Sequence, residues 1–98
     1  MTSIPLLDDV LGLAAEGIVT GASGRNWAAC STAVRLASEV TAAEQALLCD
    51  PQTSGGLLVS CAPEALTEVM ETFARHGAAR AARIGTMVAG EPGVSVIA

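Results

Sequence analysis

Residues 47–58 read LLCDPQTSGGLL, and within them the chain changes from helical to extended character. Asp50 followed by Pro51 ends the preceding helix, because a residue before proline is displaced from helical geometry. The polar turn 52–56 then leads into 57–61, an apolar run typical of a buried strand. The stretch therefore predicts a helix, a turn and a strand in direct succession.

Three helices are predicted before this stretch. Gly17 stops the first, and Thr41 with Glu44 has the spacing of a capping box that begins the third. The second carries apolar residues at helical spacing, among them Trp27 and Cys30. The predicted bounds are 3–16, about 26–38 and 41–48, and 18–20 is interpreted as a short strand or extended segment.

After the stretch, one more helix begins near Pro63 and ends at Gly77, with an apolar stripe that includes Leu66 and Phe73. Strands are expected over 83–89 and 94–97, joined as a hairpin by the turn 90–93. The order of elements predicts the α+β class, with a small, mainly antiparallel sheet and helices packed on one face.

The composition is apolar for a short chain. Hydrophobic residues make up 51% of the 98 residues, and charged residues only 15%. We expect the excess to cover a partner surface, either the rest of a larger fold or a second copy in a homo-oligomer. No apolar run reaches the roughly 20 residues that cross a bilayer, and no signal peptide is recognised, so we expect a cytoplasmic protein without membrane contact.

The charged residues argue against two functions. The net charge is −5, all five basic residues are arginines, and there is no lysine and no tyrosine. A nucleic-acid binder needs a basic stripe with aromatic residues, so nucleic acid is not an expected partner. Without lysine, a complete phosphotransfer site on this chain is not expected either. The three cysteines, Cys30, Cys49 and Cys61, are interpreted as buried free thiols, with a redox or metal role as the alternative.

Two segments resemble one enzyme family. Residues 47–58 resemble a signature of the selenophosphate synthetases (selenide, water dikinases), and residues 17–28, GIVTGASGRNWA, resemble an earlier glycine-rich segment of that family. The spacing between them suits the family too, so the resemblance covers essentially the whole chain. The family is similar in fold to aminoimidazole ribonucleotide synthetases, and the whole chain, 1–98, is expected to be part of a C-terminal domain.

The resemblance implies a parent enzyme that converts ATP, selenide and water to selenophosphate, AMP and phosphate, with ATP and magnesium held mainly by an N-terminal domain. Nothing in this sequence corresponds to the family's nucleophile, nearby lysine or magnesium-binding aspartates, so no catalytic or metal residue is assigned and activity in isolation is not expected. Two alternatives stay open: a stand-alone binding or oligomerisation module, and part of another ATP-using enzyme of the same superfamily.

Eight residues are candidates for contact with a substrate or another anion. The turn 52–56 offers hydroxyls, an amide and backbone N–H groups, and the segment 23–26 is expected to open a helix. The alternatives are structural, with glycines that permit tight turn geometry and Arg25 paired with Asp50. The candidates are Gly24, Arg25, Asn26, Gln52, Thr53, Ser54, Gly55 and Gly56.

Overall fold

A computed structural model of the chain describes residues 3–97. These residues form two compact units. The first unit comprises Leu6–Gly55 and 90–97, and the second comprises Gly56–Ala89 and 3–5. Most of the second unit is therefore inserted in sequence between two parts of the first.

Three α-helices form most of the first unit: α1 (Val10–Ala15), α2 (Gly21–Cys30) and α3 (Ala42–Leu48). The helix α3 contacts both α1 and α2. The first helix begins later than the predicted position 3, because its N-cap Asp9 adopts a left-handed conformation with φ of 66°. Gly17 also has a positive φ, 85°, and ends the helix as predicted. Residues 18–20 have no regular structure.

The second predicted helix is wrong at both ends. The helix α2 begins at Gly21 rather than near position 26, and after Cys30 the chain passes through a 3-10 turn, Ser31–Ala33. It then forms strand β1, Val34–Leu36, where the prediction had helix. The apolar spacing suggested a continuous helix, but residues 34–36 pair instead with a strand far along the chain.

That partner is β2, Val94–Val96, and the two strands are parallel. The predicted antiparallel hairpin between 83–89 and 94–97 is therefore corrected, although the α+β class holds. Val34 lies opposite Val94 and Leu36 opposite Val96. Gly93 precedes β2 where a Cβ would stand 3.1 Å from the Ala33 carbonyl oxygen, so the close approach of the strands favours glycine.

The third predicted helix is confirmed with its cap. The Thr41 hydroxyl accepts from the Glu44 backbone N–H at 3.2 Å. The Glu44 carboxylate in turn accepts from the Thr41 backbone N–H at 2.8 Å. Both halves of the capping box form, so this part of the sequence specifies its own helix start.

The second unit contains a 3-10 turn, Pro63–Ala65, and helix α4, Leu66–Arg75. Gly77, with φ of 82°, follows as the predicted stop. The apolar stripe of α4 is half-buried and its glutamates are exposed. The predicted strands at 57–61 and 83–89 are absent, and Leu58 and Val88 are each 83% exposed. Neither segment has a ladder partner among the described residues.

Burial is sparse in both units. Among residues 3–97, Ala14 is the buried hydrophobic residue and Ser23 the buried polar one, and no large side chain is fully buried. Trp27, one of the apolar residues at helical spacing in the second predicted helix, is half-buried. Within the described part, no helix has the length and apolar composition needed to span a membrane.

Candidate functional site

The predicted site residues of the N-terminal half lie inside a helix. Gly24, Arg25 and Asn26 belong to α2, which has already begun at Gly21. The segment 23–26 therefore does not open the helix, and its backbone N–H groups are not the ones that a helix start presents. Any contact with an anion at this position has to come from the side chains of Arg25 and Asn26.

Arg25 is exposed, and its guanidinium donates to the Gly21 carbonyl oxygen at 3.1 Å. Among residues 3–97 no ion pair joins it to Asp50, so that alternative is wrong. A guanidinium carries five N–H donors, and one is used here. Arg25 thus presents a positive group on the surface of α2.

Asn26 connects the two predicted segments. Its side-chain N–H donates to the Cys49 carbonyl oxygen at 2.9 Å, a bond between residues 23 positions apart. Cys49 is the C-cap of α3 and directly precedes Asp50. The bond links the two segments 17–28 and 47–58, and its acceptor lies before the turn 52–56 rather than in it.

The turn 52–56 is exposed throughout. The hydroxyls of Thr53 and Ser54 take part in no hydrogen bond formed within residues 3–97. Neither Gly55 nor Gly56 has a positive φ, and a Cβ on either would meet no atom within 4 Å. The expected need for glycine at these two positions is therefore corrected, since nothing within the described chain restricts them.

The first unit also contains a cavity that was not predicted from the sequence. It has a volume of about 330 Å³, and its lining is mainly apolar, with Thr20, Ser23 and Asp50 as polar groups. The hydroxyls of Thr20 and Ser23 lie 3.0 Å apart, and Ser23 is 4% exposed. The three-residue spacing of two hydroxyl residues at a helix start was the available signal. Because it carries a carboxylate, this cavity is unsuited to an anion.

ATP and magnesium, which the family resemblance implies, do not fit the groups of this chain. Within residues 3–97 no three histidine, cysteine or acidic side chains lie close enough to hold a metal ion. The sequence has no lysine to contact phosphate. Magnesium prefers carboxylate and phosphate oxygens in octahedral geometry, and such a set is not assembled here.

Comparison with known proteins identifies relatives over nearly the whole chain. A selenide, water dikinase of Pseudomonas straminea is 56% identical over 93 residues, which are 95% of this chain and 26% of that protein. The selenide, water dikinase of Dechloromonas aromatica is 50% identical over 94 residues, and that of Burkholderia ambifaria 56% over 94 residues, each covering 96% of this chain and 27% of the relative.

The chain thus spans about a quarter of the length of the curated relatives it matches. The predicted resemblance to the C-terminal part of selenophosphate synthetases is confirmed. No solved structure matches the chain. A family model described as AIR synthase related protein, C-terminal domain, matches residues 25–97, and the chain therefore belongs to that family.

Proposed function

We propose that the chain forms part of the C-terminal domain of an ATP-dependent selenophosphate synthetase, which converts ATP, selenide and water to selenophosphate, AMP and phosphate. The single observation that carries the proposal is the 50–56% identity to selenide, water dikinases over at least 95% of the chain. This sequence identity also favours a selenide, water dikinase over other ATP-using enzymes related to AIR synthases.

In this proposal the chain does not perform the reaction alone. ATP and magnesium bind to the rest of the enzyme, because this chain lacks lysine and a cluster of acidic ligands in its described part. Its role is structural support and contact with the substrate side of the cleft. We place the enzyme in the cytoplasm, where its nucleotide substrate is made.

Within the cleft, we propose that the exposed turn 52–56 and the side chains on α2 contact an anionic group. Arg25 supplies a charge-assisted donor, and Thr53 and Ser54 supply hydroxyls. Asn26 holds the end of α3 beside α2 through its bond to Cys49, and so fixes where the turn begins. Gly24 keeps the surface of α2 open beside Arg25.

A chimera tests this proposal. The chain would replace the aligned segment of the Pseudomonas straminea enzyme, with which it shares 56% identity. We expect selenide-dependent AMP formation by the chimera and none by the purified chain. A folded but inactive chimera, or an active isolated chain, contradicts the proposal.

The same chimera separates the two interpretations of the turn. The double change Thr53→Ala with Ser54→Ala should lower AMP formation while the melting temperature is unchanged, because exposed hydroxyls contribute about 1 kcal/mol or less to stability. Unchanged AMP formation by the double variant would indicate that the turn has a purely structural role.

A second candidate function, self-association, is favoured by the exposed apolar segments of the second unit. Leu57 is 84% exposed, Met87 82%, and Leu58 and Val88 83% each. Apolar surface of this kind associates in water. We propose that the isolated chain forms a dimer or larger species with a second copy of itself.

Sedimentation at micromolar concentrations measures this association. Leu58→Asp should shift the chain toward monomer, and the matched control Ser60→Asp adds the same charge to the same segment without removing apolar surface. A wild-type chain that sediments as a monomer, or equal effects of both changes, argues against association through this segment.

A further inference from the structure

The larger cavity of the first unit combines an apolar wall with one negative charge. Its volume of about 330 Å³ lies at the lower end of the range, roughly 300–1,000 Å³, in which proteins bind small molecules. Side chains such as Val10, Leu13 and Leu47 form most of the wall, and Asp50 is the one lining residue that titrates. A ligand of this cavity therefore needs an apolar part and a group that suits a carboxylate.

Within residues 3–97, the carboxylate of Asp50 takes part in no hydrogen bond or ion pair. The residue is half-buried, so its charge is partly withdrawn from water. Such a charge is stabilised by a counter-ion that also donates hydrogen bonds. A suitable partner for Asp50 is therefore a cation with N–H donors.

Two hydroxyls add acceptors to the same lining. Thr20 and Ser23 both border the cavity, and their side-chain oxygens lie 3.0 Å apart. One hydrogen bond joins the two hydroxyls, so lone pairs remain to accept from a ligand. A primary ammonium carries three N–H donors and no acceptor, which matches a carboxylate and two hydroxyls.

The helix ends around the cavity favour a cation on balance. Leu13 lies near the end of α1, and Ala46 and Leu47 lie near the end of α3, so two C-terminal ends border the cavity. Thr20 and Ser23 lie at the start of α2, which has the opposite polarity. Cations are stabilised at helix C-termini. The first unit also contains seven acidic and two basic residues, and its negative field attracts cations.

We propose that this cavity binds a primary ammonium group on a short apolar stem. The ammonium pairs with Asp50 and donates to the hydroxyls of Thr20 and Ser23, while the stem packs against the apolar wall. No covalent bond forms. Because the chain has no lysine, the group comes from outside it, either as a free alkylamine or as a lysine side chain of a longer parent polypeptide. Nothing in this proposal depends on selenophosphate synthesis.

Matched ligands test the site on the whole wild-type chain. The compounds n-hexylammonium, n-hexanol and n-hexanoate share the same stem and differ in the polar group. An NMR titration measures the affinity of each and locates it through the backbone amides of lining residues such as Ser23 and Leu47. We expect hexylammonium to bind at least about 10-fold more tightly than hexanol, because its hydrogen bonds are charge-assisted. Equal affinities of these two, tighter binding of hexanoate, or amide shifts only outside the lining would overturn the proposal.

A pair of charge-removing variants tests the role of Asp50. Asp50→Asn should weaken hexylammonium binding at least about 10-fold and leave hexanol binding unchanged, which also shows that the cavity is intact. The matched control is Glu91→Gln, which removes one exposed carboxylate of the same unit outside the cavity and should change neither affinity. Equal losses in the two variants would assign the effect to net charge and contradict the site.

The chimera with the Pseudomonas straminea enzyme distinguishes the two sources of the ammonium group. Undiminished hexylammonium binding by the chimera identifies a free amine as the ligand. Exclusion of hexylammonium, together with a melting temperature that Asp50→Asn lowers and Glu91→Gln does not, identifies a lysine side chain of the enzyme. Exclusion without an effect of Asp50→Asn would mean that apolar groups alone fill the cavity, and would count against the proposal.

Discussion

The first unit and the second differ in how their apolar residues are used. In the first, α3 contacts two other helices, two strands pair, and a side-chain bond joins α2 to the end of α3. In the second, one helix is flanked by segments without regular secondary structure whose leucines and valines are largely exposed. Helices form from local signals, whereas strands need partners, and the second unit contains strand-forming sequence without a partner in the described part of the chain.

A matched pair of leucine substitutions should show the largest effect. Leu47 is half-buried on α3 and lines the larger cavity, whereas Leu57 is 84% exposed. Leu47→Ala should lower the free energy of unfolding by about 2 kcal/mol, the lower end for leucine because burial is incomplete. Leu57→Ala should change it by less than about 0.5 kcal/mol. Denaturant titration measures the free energy of unfolding of both variants. Equal losses in the two variants would contradict the proposed difference between the units.

Glycine substitutions should have the next largest effect. Gly17 in the first unit and Gly77 in the second both have positive φ, 85° and 82°. Replacement by alanine should cost about 1–2 kcal/mol at each position, because a Cβ is disfavoured there.

Gly55→Ala is the matched control for these two changes. Gly55 has no positive φ and no atom within 4 Å of a built Cβ, so the change should cost less than about 0.5 kcal/mol. Thermal unfolding followed by circular dichroism compares the three variants. A cost at Gly55 as large as at Gly77 would support the structural interpretation of 52–56, in which glycine is needed for tight turn geometry.

The smallest effect concerns the cap of α3, for which the second unit has no equivalent among its described residues. Thr41→Ala should lower the free energy of unfolding by about 1 kcal/mol at neutral pH. The helix α4 has Ala65 at its N-cap, without a side-chain cap bond, and offers the comparison. Ala65→Ser, which removes no bond from α4, should not destabilise the chain to the same extent.

The capping box also gives the first unit a pH dependence. Hydrogen bonds from the Thr41 backbone and then its hydroxyl hold the pKa of Glu44 below its ordinary value of 4.5. The contribution of the Glu44 carboxylate to the free energy of unfolding is therefore complete above pH 4.5. It is lost as the pH falls through the lower pKa that Glu44 has in the folded state. The stability difference between wild type and Glu44→Gln should shrink over this range in denaturant titrations. A constant difference from about pH 7 to about pH 3 would contradict the assignment.

The features that could be predicted from the sequence are those set by residues close to one another along the chain. The capping box, the stripe of α4 and the stops at Gly17 and Gly77 each act within a few residues, and each is present as predicted. The strand β1 was missed because its partner lies 60 positions away, and apolar spacing alone resembled a longer helix. Among the site residues, the bond from Asn26 to Cys49 and the cavity beside Ser23 depend on how helices pack, which periodicity does not record.

Pairing of β1 with β2 has a consequence for how the chain is made. Val34 leaves the ribosome 60 residues before Val94, its partner in the sheet. At synthesis rates of about 5–20 residues per second, β1 remains without its partner strand for on the order of 3–12 s. During that interval the helices α1 to α3 can assemble, but the sheet cannot close. Nascent chains should therefore expose β1 to mispairing and to chaperones until residues 94–96 emerge.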